Sequence, residues 1–149
     1  MKLRSLIVLL ALWAGLTGCA LATSPEVHSL GLIVRAANFP SSLTVGTAYP
    51  VRVTTYLGSQ ALKKPYSINI YRTAWSAEGV LLKQDVLVGS QKVWPHIPNT
   101  YRTVDVIINL PVLRTGHRGL QEAFARRNVF TVKAEGADNQ LTREVPVTH

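Results

Sequence analysis

The sequence predicts an all-β fold, an antiparallel two-sheet sandwich of seven or eight strands with one short helical insertion. Three observations lead there. From Ser29 onward the apolar residues recur with a period of two rather than 3.6. Gly, Pro, Asn and Ser interrupt these runs at short intervals, as turns between strands require. Long amphipathic helices of the kind that connect parallel strands do not separate the runs.

The first run places Leu30, Leu32, Val34 and Ala36 on one face and Gly31, Ile33 and Arg35 on the other, before Asn38-Phe-Pro40-Ser-Ser42 breaks it. Leu43-Thr-Val45 is a short extended piece that turns at Gly46-Thr47. Pro50 to Leu57 alternates again, with Val51, Val53, Thr55 and Leu57 facing inward, and Gly58-Ser59 ends it. Ser67 to Arg72 sets Ile68 and Ile70 on one face. A run from Val80 to Val88 is opened by Glu78-Gly79 and read as closed by Gly89-Ser90. Thr103 to Leu110 is the clearest strand, with Val104, Val106, Ile108 and Leu110 inward and Thr103, Asp105 and Asn109 outward. Gly119 to Arg127 is the helical candidate, because Leu120, Ala123, Phe124 and Arg127 share a face at helical spacing. Val129 to Ala134 and Leu141 to Val147 complete the set, and Glu135 to Gln140 between them reads as a hairpin loop. Trp75 and Trp94 fall at or near strand ends, where a sandwich most often uses tryptophan as a core residue or an end plug; the alternative is an exposed patch of tryptophan with Tyr101 that binds glycan or a partner protein.

Two segments carry a family likeness. Leu43-Thr-Val-Gly46 with Tyr49 to Gly58 resembles the second strand and turn of bacterial immunoglobulin-like domains, of the kind found in cell-adhesion-related repeats. Val129 to Glu144 resembles the last hairpin of the same family. The resemblance implies an immunoglobulin-like sandwich. The segment from Arg114 to Arg127 departs from the family, which passes between these strands by a brief turn. A transthyretin-like sandwich, as in the outer-membrane lipoprotein of type VI secretion systems, has a similar strand pattern.

The chain opens with Lys2 and Arg4, an apolar run from Leu6 to Leu16 and small residues before Cys19. That is the layout of a secretory signal peptide, and the run is shorter than the roughly 20 residues a bilayer-spanning helix needs. Leu16-Thr17-Gly18-Cys19 resembles the lipobox of bacterial lipoproteins. The resemblance implies cleavage before Cys19, lipid attachment (palmitate among the chains) to that cysteine, and a domain organisation of signal peptide 1–18, lipidated tether 19–28 and sandwich 29–149. Two or three acyl chains anchor stably where one does so marginally. Ala20, standing where Asp commonly retains such proteins in the inner membrane, implies the outer membrane, with the domain facing the periplasm. The tether from Ala20 to His28 has Ser24-Pro25 opposing regular structure and a reach of about 15–20 Å.

Cys19 is the one cysteine in the chain. Once lipidated, it leaves no thiol for a disulfide, a nucleophile or a thiolate metal ligand. Lys2 and Arg4 leave with the signal, so most of the formal charge of +8 stays with the domain. His28, His96, His117 and His149 are isolated, without metal-ligand spacing. Glu78, Asp85, Asp105, Glu122, Glu135, Asp138 and Glu144 fall on turns or outward faces, so no general acid–base pair is indicated, and no GxSxG elbow or phosphate-cradling glycine loop is present. No cofactor, metal or catalytic residue is expected.

The positive feature is a basic segment: Arg114, His117, Arg118, Arg126 and Arg127, opposed by Glu122. Guanidinium groups bind phosphate and carboxylate in a planar fork, which makes these residues candidates for anion binding. Nucleic acid is not the expected partner, because export separates the chain from it and no stacking aromatics are interleaved with the arginines. The sequence thus reads first as a non-enzymatic envelope lipoprotein, held to the membrane by its lipid, that binds or assembles with an envelope protein. Second comes binding of an anionic envelope ligand (lipopolysaccharide, a phospholipid head group or an acidic glycan) through Arg114–Arg127. A hydrolase of unknown type is third. β-Augmentation at a free sheet edge is one route to a protein partner.

Overall fold

The structure is a computed structural model that describes residues 31–111, 114–115, 119–120 and 125–148. The described part is all-β. Eleven strands follow in order: β1 Leu32–Asn38, β2 Leu43–Thr44, β3 Ala48–Leu57, β4 Tyr66–Trp75, β5 Leu81–Val93, β6 Thr100–Asn109, β7 Arg114–Thr115, β8 Gly119–Leu120, β9 Arg127–Ala134, β10 Gln140–Glu144 and β11 Val147–Thr148. They form a three-stranded sheet in the order β1-β3-β6 and a four-stranded sheet in the order β10-β9-β4-β5. All the pairings in both are antiparallel. Two small pairs complete the set, β11 parallel to β2 and β7 antiparallel to β8.

The alternation read from the sequence decides which faces meet. Val51, Val53, Leu57, Val106 and Ile108 of one sheet and Ile68, Ile70, Phe130 and Val132 of the other form a single buried cluster. The outer face of β3 and β6 carries the residues of opposite parity in directly opposed pairs. Arg52 donates to Asp105 at 3.2 Å, the hydroxyls of Thr54 and Thr103 lie 2.9 Å apart, and the rings of Tyr56 and Tyr101 are 4.8 Å apart. Each such pair adds a few tenths of a kcal/mol to about 1 kcal/mol to sheet stability.

Three expectations are corrected. In β1 the pairing with β3 shifts between Val34 and Ala36, a bulge at Arg35. Beyond it the parity inverts, so Ala37 and Phe39, not Ala36, pack against the core. The Asn139 side chain sits at this bulge, accepting from Val34 N at 2.7 Å and donating to Val34 O at 2.9 Å. A side-chain amide thereby replaces a strand partner for Val34, and the β9–β10 loop ties one sheet to the other.

Gly89-Ser90 does not close its strand; β5 runs through it to Val93. The glycine is there because β5 crosses β6 at this point. A Cβ on Gly89 would stand 2.7 Å from the carbonyl oxygen of Ile107 and 2.9 Å from the Ile108 side chain. The helix expected over Gly119–Arg127 is extended at both ends: Gly119–Leu120 pairs with Arg114–Thr115, and Arg127 opens β9. Residues 121–124 lie outside the described residues.

The four-stranded sheet also buries a cation. Arg72 shares the parity of Ile68 and Ile70 and is fully buried. Its Nε and Nη2 donate to Asn128 Oδ1 at 2.9 and 2.7 Å, and Asn128 is buried as well. A buried cation is tolerated where hydrogen bonds replace the water it loses.

Two outcomes test these points in urea melts. Asn128→Ala removes the acceptor and leaves the charge in place, and should cost about 2–3 kcal/mol. The double change Arg72→Met with Asn128→Val removes both charge and amide, and should be the more stable of the two proteins. Gly89→Ala should destabilise by about 1–3 kcal/mol through overpacking, and an unchanged midpoint would show that β5 and β6 do not approach so closely.

Candidate functional site

The strands define two ends about 30 Å apart, the rise of the ten residues of β4 from Tyr66 to Trp75. The sequence candidates separate between them.

At the Tyr66 end lies the loop Trp94-Pro-His-Ile-Pro98, between β5 and β6. Its side chains point alternately out and in: Trp94 is 69% exposed and Ile97 75%, whereas His96 is buried between them. His96 holds the loop through a chain of polar contacts. Its Nε2 lies 3.3 Å from the Tyr66 hydroxyl, which lies 2.8 Å from Thr55 Oγ1. On the other side, His96 Nδ1 lies 3.1 Å from Thr100 Oγ1, and that hydroxyl donates to the carbonyl of Ile97. Because the Thr100 hydroxyl donates to the Ile97 carbonyl, His96 Nδ1 carries a proton and donates to Thr100. Burial, and after it the nearby Arg102 cation, pushes the His96 pKa below the ordinary imidazole value. Burial raises the Tyr66 phenol. Both groups are therefore held uncharged at neutral pH. Pro95 and Pro98 restrict the loop backbone further, and Asn99 turns it into β6 with a φ of 61°, a conformation asparagine tolerates.

This end is also where the chain enters the described domain. Gly58 N donates to Gly31 O at 2.9 Å, and Asn99 N donates to Leu57 O at 2.8 Å. Gly31 and the Trp94 loop are thus held by the same turn, the one that follows β3. Lys92 stands with its ammonium 6.0 Å from the Trp94 ring centre. Lys63 and Lys64, just before β4, are exposed, as are Tyr101 and Arg102 at the start of β6.

At the Trp75 end the arginines gather only in part. Arg127 lies over the Trp75 ring at 5.1 Å and donates to Glu144 at 3.2 Å. Arg126 is exposed; its backbone N donates to Trp75 O at 2.9 Å and its Nη1 to Ala125 O at 3.2 Å. The backbone of Arg114 lies in β7, while His117 and Arg118 lie outside the described residues. So do Cys19 and the segments expected to be signal and tether. The two tryptophans take different roles: Trp75 lies under an arginine at a strand end, whereas Trp94 is neither core nor plug. Midway between the two ends a groove of about 270 Å³ opens between the sheets, lined by Ala36 to Phe39 of the first, Val132, and Leu141 to Arg143 on β10.

Among the described residues no three His, Cys, Asp or Glu side chains are placed to hold a metal ion, and no helix is long and apolar enough to cross a membrane. Arg72 is the residue that sequence reading passed over. The signal was present in Ser67-Ile-Asn-Ile-Tyr-Arg72, since strict alternation puts Arg72 on the face of the two isoleucines.

No family model matches the chain, and no curated protein matches its sequence. Among solved structures it is similar to a β-glucosidase from Listeria innocua in complex with gluconolactone, at 16% identity and a TM-score of 0.49 over 79% of this chain. The same enzyme in complex with isofagomine matches at 18% identity and a TM-score of 0.48 over 78% of this chain. The chain spans 16% of the length of those structures.

The His96 chain has a pH signature. The folded protein binds the imidazole proton less readily than the unfolded chain does. Stability from this group is therefore complete above the ordinary value of 6.5 and declines as pH falls below it, until His96 protonates within the fold. Urea midpoints measured from pH 7.5 down to 5 should fall more steeply for the native protein than for His96→Gln; parallel profiles would show that His96 does not sense the fold.

Proposed function

We propose that this protein is a lipid-anchored envelope module without catalytic activity, an immunoglobulin-like sandwich that binds or assembles with another envelope protein. The strand orders β1-β3-β6 and β10-β9-β4-β5, with their apolar faces in one core, support the immunoglobulin-like reading. The lipobox Leu16-Thr17-Gly18-Cys19 supports the anchor, and Ala20 supports the outer membrane with the domain in the periplasm.

The observation that carries the functional reading is the polarity of the domain. The chain enters at Gly31, beside Gly58 and Asn99. Arg126 and Arg127 lie at the other end of the same strands, and the groove along β10 opens midway between the two. A lipid anchor on a short tether keeps the first end near the bilayer and turns the second toward partners. Ala36, Ala37, Phe39, Val132 and Leu141 line the groove together with Arg143, and the Phe39 ring lies 5.4 Å from that of buried Phe130. An extended partner segment laid beside β10 would gain main-chain hydrogen bonds there as well as side-chain contacts.

Binding of an anionic ligand by the arginine segment is the weaker reading. Arg127 is already committed to Glu144 and Trp75, so a ligand would have to displace these contacts.

Cys19→Ser should abolish metabolic palmitate labelling and release the protein from the membrane fraction; continued labelling refutes the anchor. A photocrosslinker at the exposed Thr142 should capture one stoichiometric envelope protein, and Leu141→Asp should abolish the capture. The assembly role loses its support if no stoichiometric partner is found.

A further inference from the structure

We infer that the Trp94 end of the domain seats directly on an anionic phospholipid surface, with Trp94 and Ile97 entering the head-group layer. The inference rests on the lipid-anchored reading for one of its three supports, the direction in which the tether holds the domain.

That first support is geometric. The tether has a reach of about 15–20 Å, and Gly31 is hydrogen-bonded to the turn that also holds Asn99, the last residue before β6. Among the loops of the domain, the one carrying Trp94 is therefore among those nearest the bilayer.

The second is chemical. Trp94, Ile97 and Tyr101 are the large apolar side chains exposed at this end, at 69%, 75% and 57%. Tryptophan and tyrosine, with an apolar body and a polar edge, settle at the level of lipid head groups. Cations ring them: Lys92 beside the Trp94 indole, Lys63 and Lys64 before β4, and Arg102 after Tyr101. Among the described residues, the acids at the same end are Glu135, which accepts from the Ser67 backbone N at 3.3 Å, and Asp138, whose carboxylate lies against Gly31. The balance favours an anionic surface, to which each nearby Lys or Arg is attracted.

The third is rigidity. Exposed apolar side chains on a slack loop would have to be ordered on binding. Here buried His96, bonded to Tyr66 and Thr100, and the two prolines already hold Trp94 and Ile97 outward. Preorganisation of this kind removes an ordering cost from association.

The chain contains three tryptophans, Trp13, Trp75 and Trp94, so emission can be assigned to one indole at a time. The full chain carrying Trp13→Phe and Trp75→Phe reports Trp94; the full chain carrying Trp13→Phe and Trp94→Phe reports Trp75. Each is extracted from cells and reconstituted into vesicles of phosphatidylethanolamine and phosphatidylglycerol, with and without bromine on the upper acyl carbons. Trp94 emission should be blue-shifted and quenched several-fold more than Trp75 emission. Equal quenching of the two overturns the inference. Replacing phosphatidylglycerol with phosphatidylcholine should weaken the quenching of Trp94, and no change removes the anionic requirement. Palmitate labelling of the same proteins separates the two ideas. Labelled protein with unquenched Trp94 keeps the anchor and sinks this surface; unlabelled protein with quenched Trp94 does the reverse.

Discussion

The guanidinium of Arg72, buried on the inward face of β4 and bonded twice to Asn128 Oδ1, ties the two central strands of the larger sheet together at one end of the core. An apolar residue there would pack against anything of suitable volume. A buried cation accepts only geometry that returns its hydrogen bonds, so it restricts how β9 lies against β4. From that point the rest of the end is built. Asn128 O accepts from Val145 N, which orients the departure of the chain from β10. Arg126 N reaches Trp75 O, and Arg127 lies across the Trp75 ring. Ala125 packs on Ala74 in a small cluster of its own.

The opposite end uses the same device with neutral groups. Thr55, Tyr66, His96 and Thr100 form a buried polar chain whose members satisfy one another. Each end of the core is thus finished by a polar arrangement that specifies geometry, while the apolar middle supplies the driving force. The consequence for function is directional. The domain has one end that receives the chain and projects Trp94, another that carries Arg126 and Arg127, and the groove beside β10 between them. Under the proposed lipid anchor, a short tether would convert that structural polarity into an orientation relative to a membrane.

Much of the fold was legible because a strand has an unambiguous period. Val51, Val53, Thr55 and Leu57, then Ile68 and Ile70, then Val106, Ile108 and Leu110 are all inward, as alternation requires. Alternation misleads where a strand changes parity or where a turn former has another task. The bulge at Arg35 inverts the face of Ala36 and Ala37, and nothing local marks it, because its reason is Asn139, more than a hundred residues away. Gly89 read as a turn because glycine permits one; its true reason is the backbone of β6. Gly119–Arg127 read as helical from the spacing of Leu120, Ala123, Phe124 and Arg127, yet Gly119–Leu120 is paired as a strand. Of the arginine segment, Arg127 is described with its partners, Glu144 and Trp75, which no local spacing marks.

By itself the sequence determined the all-β class and the inward faces of most strands, because these depend on periodicity, composition and short spacing. Only the tertiary structure decided that Arg72 lies in the core with Asn128, that His96 is a buried strut and Trp94 an exposed projection, and that the chain enters at the Trp94 end rather than at the arginine end. Those outcomes depend on which distant backbone or side chain satisfies a polar group once water is removed, and that partner is set by the pairing of strands far apart in the chain.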